Sequence, residues 1–126
     1  LDYLVWRTLD LMNAGALLND ILHAVSVPME YSSRPYLAPI YDESECVVRN
    51  IWHLFGGWYE DDPSYLKPAK SSALAIALVD LSRGPQKLVD RAFVMMETDL
   101  RLACHPVELA AQAAPDSIQV CRARVY

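Results

Sequence analysis

Residues 41–69 read YDESECVVRNIWHLFGGWYEDDPSYLKPA, and this stretch decides the fold. Acidic and hydroxyl residues at its beginning are typical of a helix start, and Gly56-Gly57 followed by Asp62-Pro63 breaks the pattern. Between them, apolar residues recur at the spacing of one helix face. The set consists of Val47, Ile51, Leu54 and Trp58, widened by Val48, Trp52, Phe55 and Tyr59. The pattern predicts a helix with a broad aromatic face that packs against more than one neighbour.

Four short motifs lie in the same stretch. They are Val48-Arg49-Asn50-Ile51, Gly57-Trp58-Tyr59, Asp62-Pro63 and Leu66-Lys67-Pro68. Together they resemble the helical dimerisation domain of the alkyl sulfatase family, whose enzymes have a metallo-β-lactamase fold. The turn differs, because Glu60-Asp61-Asp62 stands where the family usually has Asp-Gly-Asn. The family-motif residues, which the resemblance makes candidate interface residues, are Arg49, Asn50, Trp52, Gly57, Trp58, Tyr59, Asp62 and Pro63.

The resemblance covers about residues 12–126 and implies how a parent enzyme would be organised. Enzymes of this family cleave sulfate esters with two zinc ions in an N-terminal catalytic domain. Residues 1–126 would then form a single helical dimerisation domain with no catalytic, metal-binding or cofactor-binding residues of its own. Its expected partners are a second copy, giving a homodimer, and the catalytic domain of the same chain. Because the sequence begins at Leu1 within a helical pattern, we expect a piece of a longer protein, whose compartment is left open.

Composition restricts the possible partners further. Apolar residues make up 53% of the 126 residues, which favours a folded, all-helical domain over a disordered one. The net charge of −5 comes without any basic stripe, which argues against nucleic acid and anionic membranes as partners. No apolar run approaches the ~20 residues that a membrane-spanning helix needs.

The histidines and cysteines do not form a recognisable metal motif. His23, His53 and His105 are isolated, and the dense His-x-His-x-Asp-His cluster of two-zinc hydrolases is not found among these 126 residues. We therefore predict structural or solvent-facing roles for the three histidines. The cysteines, at positions 46, 104 and 121, are odd in number and irregular in spacing, so we expect reduced thiols in the core.

Two polar features of the central stretch have alternative interpretations. Glu60-Asp61-Asp62 is expected to be a solvated cap at a helix end, with a calcium site as the alternative. Arg49, next to Asn50, lies on a mostly apolar helix and should have an acidic partner. The pair is interpreted as part of a structural ion pair, and the alternative is contact with the active site of an adjoining catalytic domain.

Before the central helix, the pattern predicts a helix over residues 1–14 and a short one capped by Asn19. Met12, Asn13, Gly15, Ile21, Val27 and Pro28 match the family pattern here. Residues 29–42 show no lasting period and contain Tyr31, Tyr36 and Tyr41. They predict a long ordered loop with packed tyrosine rings. It is either a surface connector or a functional segment, such as a lid or an arm around a second subunit.

After the central helix, Ser71 or Ser72 is predicted to cap a helix that is apolar nearly all round and should be buried on most sides. Gly84-Pro85 separates it from the next helix, with Pro85 in the first turn. The remainder predicts a helix over residues 99–114, a turn at Pro115-Asp116 and a final helix from Ser117. Pro106 predicts a kink or a helix restart, and a kink that opens a pocket is the functional alternative.

The Ala-rich end looks like a tetratricopeptide-type hairpin. Its Leu102, Ala103, His105, Ala110, Ala113 and Pro115 also match the corresponding end of the alkyl sulfatase dimerisation domain. We therefore predict an all-α helical bundle of about six or seven helices with a tetratricopeptide-like hairpin at its C-terminal end. One rival interpretation is a stand-alone adaptor that binds a peptide in its hairpin groove. Another is a family member with different hydrolase chemistry.

Overall fold

The computed structural model describes residues 1–37, 43–60 and 62–125. These residues form eight α-helices and two short 3₁₀ helices, which confirms the all-α prediction. The α-helices are α1 (Asp2–Asn13), α2 (Leu18–Ala24), α3 (Met29–Ser32), α4 (Ser44–Phe55), α5 (Ser71–Leu81), α6 (Pro85–Met96), α7 (Leu100–Ala113) and α8 (Ile118–Ala123). The 3₁₀ helices are Pro35–Leu37 and Pro63–Tyr65. Within the described ranges, no helix has the length and apolar character needed to cross a bilayer.

The chain divides into two compact units, Leu1–Lys67 and Pro68–Tyr126. The first unit packs α1 and α2 against α4. Its core consists of Leu4, Leu18, Ile21, Val25, Val48, Ile51 and Trp52. In the second unit, α7 contacts α5, α6 and α8. The core there is smaller and contains Val89, Ala110, Ala111 and Val120. The prediction of one domain over residues 1–126 stays a prediction.

The prediction for the central helix was right in its position but wrong in the width of its buried face. Helix α4 ends at Phe55, so Trp58 and Tyr59 lie beyond it. Val48, Ile51 and Trp52 are buried, whereas Leu54 is 77% and Phe55 60% exposed. Helix α4 packs against α1 and α2 in the first unit, and its three buried residues belong to the core that these helices share.

Two predictions before α4 were also wrong in detail. Asn19 does not cap α2, which begins one residue earlier at Leu18, after Leu17 and without a side-chain cap. The segment predicted as a loop with packed tyrosines contains α3 and a 3₁₀ helix. With α3, the described residues form eight α-helices, where about six or seven were predicted. Tyr36 is 75% and Tyr31 42% exposed, so neither ring is packed in a core of the described residues. Tyr41 lies outside the described residues.

Helix α5 is not buried on most sides. Only Ala75 and Val79 are buried, on the side that packs against α7. Its Leu74, Ile76 and Leu81 are 52%, 49% and 81% exposed. The predicted cap by Ser71 or Ser72 was also wrong, because α5 begins after Lys70 with no side-chain cap. Pro85 does occupy the first turn of α6, as predicted.

Helix α7 continues through Pro106, so the predicted restart does not occur. A proline inside a helix costs about 3 kcal/mol, since it lacks the N–H that would reach the carbonyl four residues back. Buried side chains on both sides of the proline, Ala103 before it and Val107 and Ala110 after it, keep the helix continuous through packing. The comparison between α7, α8 and a tetratricopeptide hairpin stays a prediction.

The three cysteines are free thiols but are exposed, so their placement in the core was wrong. Successive residues of a helix point about 100° apart, because a turn contains 3.6 residues. Cys104 and Cys121 follow the buried Ala103 and Val120 directly, and this rotation turns them toward solvent. His23, His53 and His105 are exposed as well, in agreement with their predicted solvent-facing roles.

Candidate functional site

The motif residues surround a chain reversal at the end of α4. Gly56 ends the helix, and its N–H donates to the Trp52 carbonyl at 2.6 Å. Gly57 follows with φ +91°, a backbone conformation that residues with a Cβ rarely adopt. After Gly57, the chain returns beside the helix it has just left. We call residues 57–60 the return segment.

Side chains on α4 hold the return segment. The Trp52 indole Nε1 donates a hydrogen bond to the Tyr59 carbonyl at 3.0 Å. Arg49 Nη1 donates to Glu60 Oε1 at 3.0 Å, and His53 Nε2 lies 3.3 Å from the same oxygen. Arg49, Trp52 and His53 are spaced by three and four residues, so they lie on neighbouring turns of one helical side.

Arg49 forms an ion pair with Glu60. An acidic partner for this arginine is confirmed, and it is Glu60. The side chains of Arg49 and Glu60 remain 46% and 34% exposed, so water screens their attraction. Such surface pairs contribute about 0–1 kcal/mol. Glu60 was predicted only as part of a solvated cap, and its link to Arg49 becomes visible once the Gly57 reversal is known.

Asp62 and Pro63 form the next turn. Asp62 precedes the 3₁₀ helix Pro63–Tyr65, and its Oδ1 accepts a hydrogen bond from the Ser64 N–H at 2.9 Å. Hydrogen bonds from the Ser64 side chain and then from its backbone N–H lower the pKa of Asp62. Asp61 lies outside the described residues. Nowhere in the described ranges do three or more His, Cys, Asp or Glu residues gather in a way that could hold a metal ion.

The candidate interface residues separate into buried and exposed groups. Trp52 is only 6% exposed and belongs to the core of the first unit. Trp58 is 72% exposed, and its ring meets the half-buried Tyr59 edge-on, with centroids 6.0 Å apart. Arg49 and Asn50 are exposed on α4. Leu54 and Phe55, at the end of α4, are exposed as well.

A second polar link joins helices of the other unit and was not predicted. Arg124, just after α8, binds Glu108 of α7 with nitrogen–oxygen distances of 2.9 and 3.2 Å. Gln112 donates to the same carboxylate at 2.9 Å. The two charged residues are 16 positions apart, so no local spacing could have indicated the pair.

A cavity of about 480 Å³ lies beside this link. Its lining is mostly apolar and consists of Met96, Leu100, Ala103, Cys104, His105, Val107, Glu108, Ala123 and Arg124. It flanks the turn of α7 that contains Pro106. The cavity has the size of a small-molecule pocket. None of the eight family-motif residues of the central stretch lines it, whereas Ala103 and His105, which match the family pattern at the C-terminal end, do.

The alkyl sulfatase dimerisation family model matches residues 17–125 of the chain. The match includes α2 through α8 and therefore both the return segment and the Ala-rich C-terminal helices. It also includes all eight residues that were selected as family-motif residues. A comparison with curated proteins found no match.

Proposed function

Since this chain belongs to the alkyl sulfatase dimerisation family, we propose that it joins two copies of its parent enzyme into a homodimer. In this proposal the 126 residues are non-catalytic. The parent is a metallo-β-lactamase-fold hydrolase of sulfate esters, and its two zinc ions are bound by a catalytic domain of the same chain. The resemblance of the motif residues to the family supports both parts of the proposal.

The observation that carries the dimerisation role is the number of large apolar side chains left in water. In the first unit, Leu54, Phe55 and Trp58 are between 60% and 77% exposed. The three residues lie within five positions of the sequence, and exposed apolar side chains grouped in this way mark a place where another surface binds. Aromatic residues are enriched in such contacts because they bury much area at a low entropic cost.

The return segment explains how Trp58 would be presented. Its backbone is tied to α4 by the Trp52–Tyr59 hydrogen bond and by the contacts of Glu60. A side chain on a backbone that is already ordered loses less entropy when it is buried by a partner. We therefore propose that Trp58 lies in the homodimer contact and that Trp52 supports it from the core.

The experiment is light scattering after gel filtration, repeated across a hundredfold dilution. A mass of twice 14.2 kDa is expected at the upper concentrations. Trp58→Ser should shift the equilibrium toward monomer, and Trp6→Ser, at a 68% exposed site on α1, is the matched control. A monomer at every concentration would contradict self-association of this chain and favour the peptide-binding adaptor.

The enzymatic part of the proposal requires the full parent protein. We expect its coding sequence to contain a His-x-His-x-Asp-His run, and the purified enzyme to contain two zinc ions and to hydrolyse alkyl sulfates. A parent with this zinc cluster but no activity on sulfate esters would point to different hydrolase chemistry in the same family. A parent without the cluster would contradict the hydrolase assignment.

A further inference from the structure

Helix α5 carries a leucine seam at heptad spacing that the described residues of its own unit leave partly exposed. Ser71, Leu74, Leu78 and Leu81 follow one another at spacings of three, four and three, which is the a-d-a-d pattern of paired helices. Leu74, Leu78 and Leu81 are 52%, 37% and 81% exposed. The buried side of α5 is a different one, formed by Ala75 and Val79 against α7. The leucine seam is therefore available to another helix.

The charges at the two ends of α5 are on the wrong ends for an isolated helix. Lys70 precedes the first turn, where the helix dipole is positive, and Asp80 lies in the last turn, where it is negative. No side chain caps the first turn of α5. Neither Lys70 nor Asp80 forms an ion pair with another described residue. Each charge thus opposes the dipole of its own helix and has no ion pair with another described residue to offset this.

An antiparallel second copy of α5 would give both Lys70 and Asp80 an oppositely charged partner. It places Asp80 of one copy beside the first turn and Lys70 of the other, and a two-fold axis creates this contact twice. In the same arrangement Leu74 meets Leu78 of the other copy, and Ser71 meets Leu81. In a parallel arrangement, by contrast, Lys70 would face Lys70 and Asp80 would face Asp80.

We propose that the α5 helices of two copies pair antiparallel across the two-fold axis of the homodimer, through Leu74, Leu78 and Leu81. This inference rests on the proposed dimerisation role and adds the surface and the orientation. A helix of 11 residues is about 16 Å long. A stable interface usually buries roughly 800 Å² of each partner, so α5 is one part of the contact and not all of it.

The first test removes the apolar seam without changing the charge. The double variant Leu74→Gln with Leu81→Gln should raise the dimer dissociation constant on the order of a hundredfold, because two leucines are lost from each copy. Glutamine is a good helix former, so α5 should stay helical. Ile118→Gln is the control, at a 71% exposed position on α8, which packs against α6 and α7. Circular dichroism and the thermal midpoint of each variant establish that it is folded.

The second test determines the orientation by exchanging charges. Lys70→Glu and Asp80→Lys should each weaken dimerisation on the order of tenfold at low salt, since each single change affects two symmetric contacts. The double variant should recover the wild-type dissociation constant, because every contact then again joins opposite charges. Additive weakening in the double variant would overturn the antiparallel arrangement.

The outcomes separate the two proposals. A wild-type chain that is monomeric throughout the dilution series overturns the proposed dimerisation and the α5 pairing with it. A wild-type dimer whose dissociation constant is unchanged by the two glutamines overturns only the α5 pairing. A lower thermal midpoint of the glutamine variant with an intact dimer would assign the seam to contacts within one chain, and would also overturn the α5 pairing.

Discussion

The indole of Trp52 donates a hydrogen bond to the backbone carbonyl of Tyr59 at 3.0 Å, seven residues further along the chain. One side chain thereby joins the core of the first unit to the return segment. Trp52 packs with Val48 and Ile51 of α4, while its polar edge reaches the segment that carries the exposed Trp58. The presentation of Trp58 therefore depends on a buried residue six positions before it.

Replacing Trp52 with Phe should lower the free energy of unfolding by about 1–3 kcal/mol. The variant keeps an aromatic ring but loses buried volume and leaves the Tyr59 carbonyl without its donor. Urea denaturation measures the change. Trp6→Phe is the control, because Trp6 is 68% exposed, and it should change the stability by less than about 0.5 kcal/mol. Equal effects of the two substitutions would refute the anchoring role of Trp52.

Substitutions of Gly57 should destabilise the protein in the order of how poorly the new residue tolerates a positive φ. Its φ of +91° costs a residue with a Cβ about 1–2 kcal/mol, although no atom lies within 4 Å of the position that a Cβ would take. We expect Gly57→Ala to destabilise more than Gly57→Asn, since asparagine adopts left-handed conformations more readily. Thermal unfolding of both variants tests this order. A stability of Gly57→Ala equal to that of the wild type would contradict the backbone geometry.

Thr8→Val should stabilise the protein by about 1 kcal/mol. Thr8 is fully buried in α1, and its hydroxyl has no hydrogen-bond partner among the described residues. Valine has nearly the same shape and no polar group to desolvate. Thr98→Val is the control, because the exposed Thr98 hydroxyl donates to the Met95 carbonyl and its loss should not stabilise. A destabilised Thr8→Val variant would show that the buried hydroxyl has a partner in solution.

Pro106→Ala should raise the free energy of unfolding by about 2 kcal/mol. The gain comes from removing a proline inside a continuous helix, about 3 kcal/mol, less up to about 1 kcal/mol for a more flexible unfolded chain. Pro85→Ala is the matched control, since Pro85 is equally half-buried but lies in the first turn of α6. It should be neutral or slightly destabilising. Chemical denaturation of both variants measures the contrast, and the prediction fails if they change stability in the same direction.

Ser64→Ala should return the pKa of Asp62 toward the ordinary value of an aspartate. The Ser64 side chain is the main cause of the lowered pKa, followed by the Ser64 backbone N–H. A carboxyl with a lowered folded-state pKa stabilises the fold above the unfolded pKa, and this contribution is lost as the pH falls through the folded value. Carboxyl carbon shifts in an NMR titration below pH 5 report the midpoint. An unchanged Asp62 midpoint in the variant would show that the Ser64 hydroxyl does not bind the carboxylate.

Glycine and proline signals predicted the helix boundaries that they mark, because they act through the backbone. Gly56-Gly57 marks the end of α4, and Pro85 begins α6 because its fixed φ and missing N–H suit a first turn. The family motif was readable for the same reason, since it consists of turn residues and helix residues at short spacing. These signals require no knowledge of what the helix packs against.

Burial was predicted less well, because it depends on neighbours that are distant in sequence. The apolar pattern of α5 looks the same whether three sides or one side of the helix is covered. Trp52 and Trp58 both read as parts of one stripe, yet one is buried and the other is 72% exposed. The reversal at Gly57 removes Trp58 from the helix and also brings Glu60 to Arg49.

The sequence by itself therefore determined the helical class, the family and several helix boundaries, such as the end of α4 at Gly56 and the start of α6 at Pro85. Steric limits on φ and missing or unpaired backbone groups act within a few residues, so a local pattern contains them. Only the tertiary structure decided which apolar faces are covered and which charges meet. Burial and ion pairing depend on which elements pack together and exclude water, and this packing brings together residues that are distant in sequence.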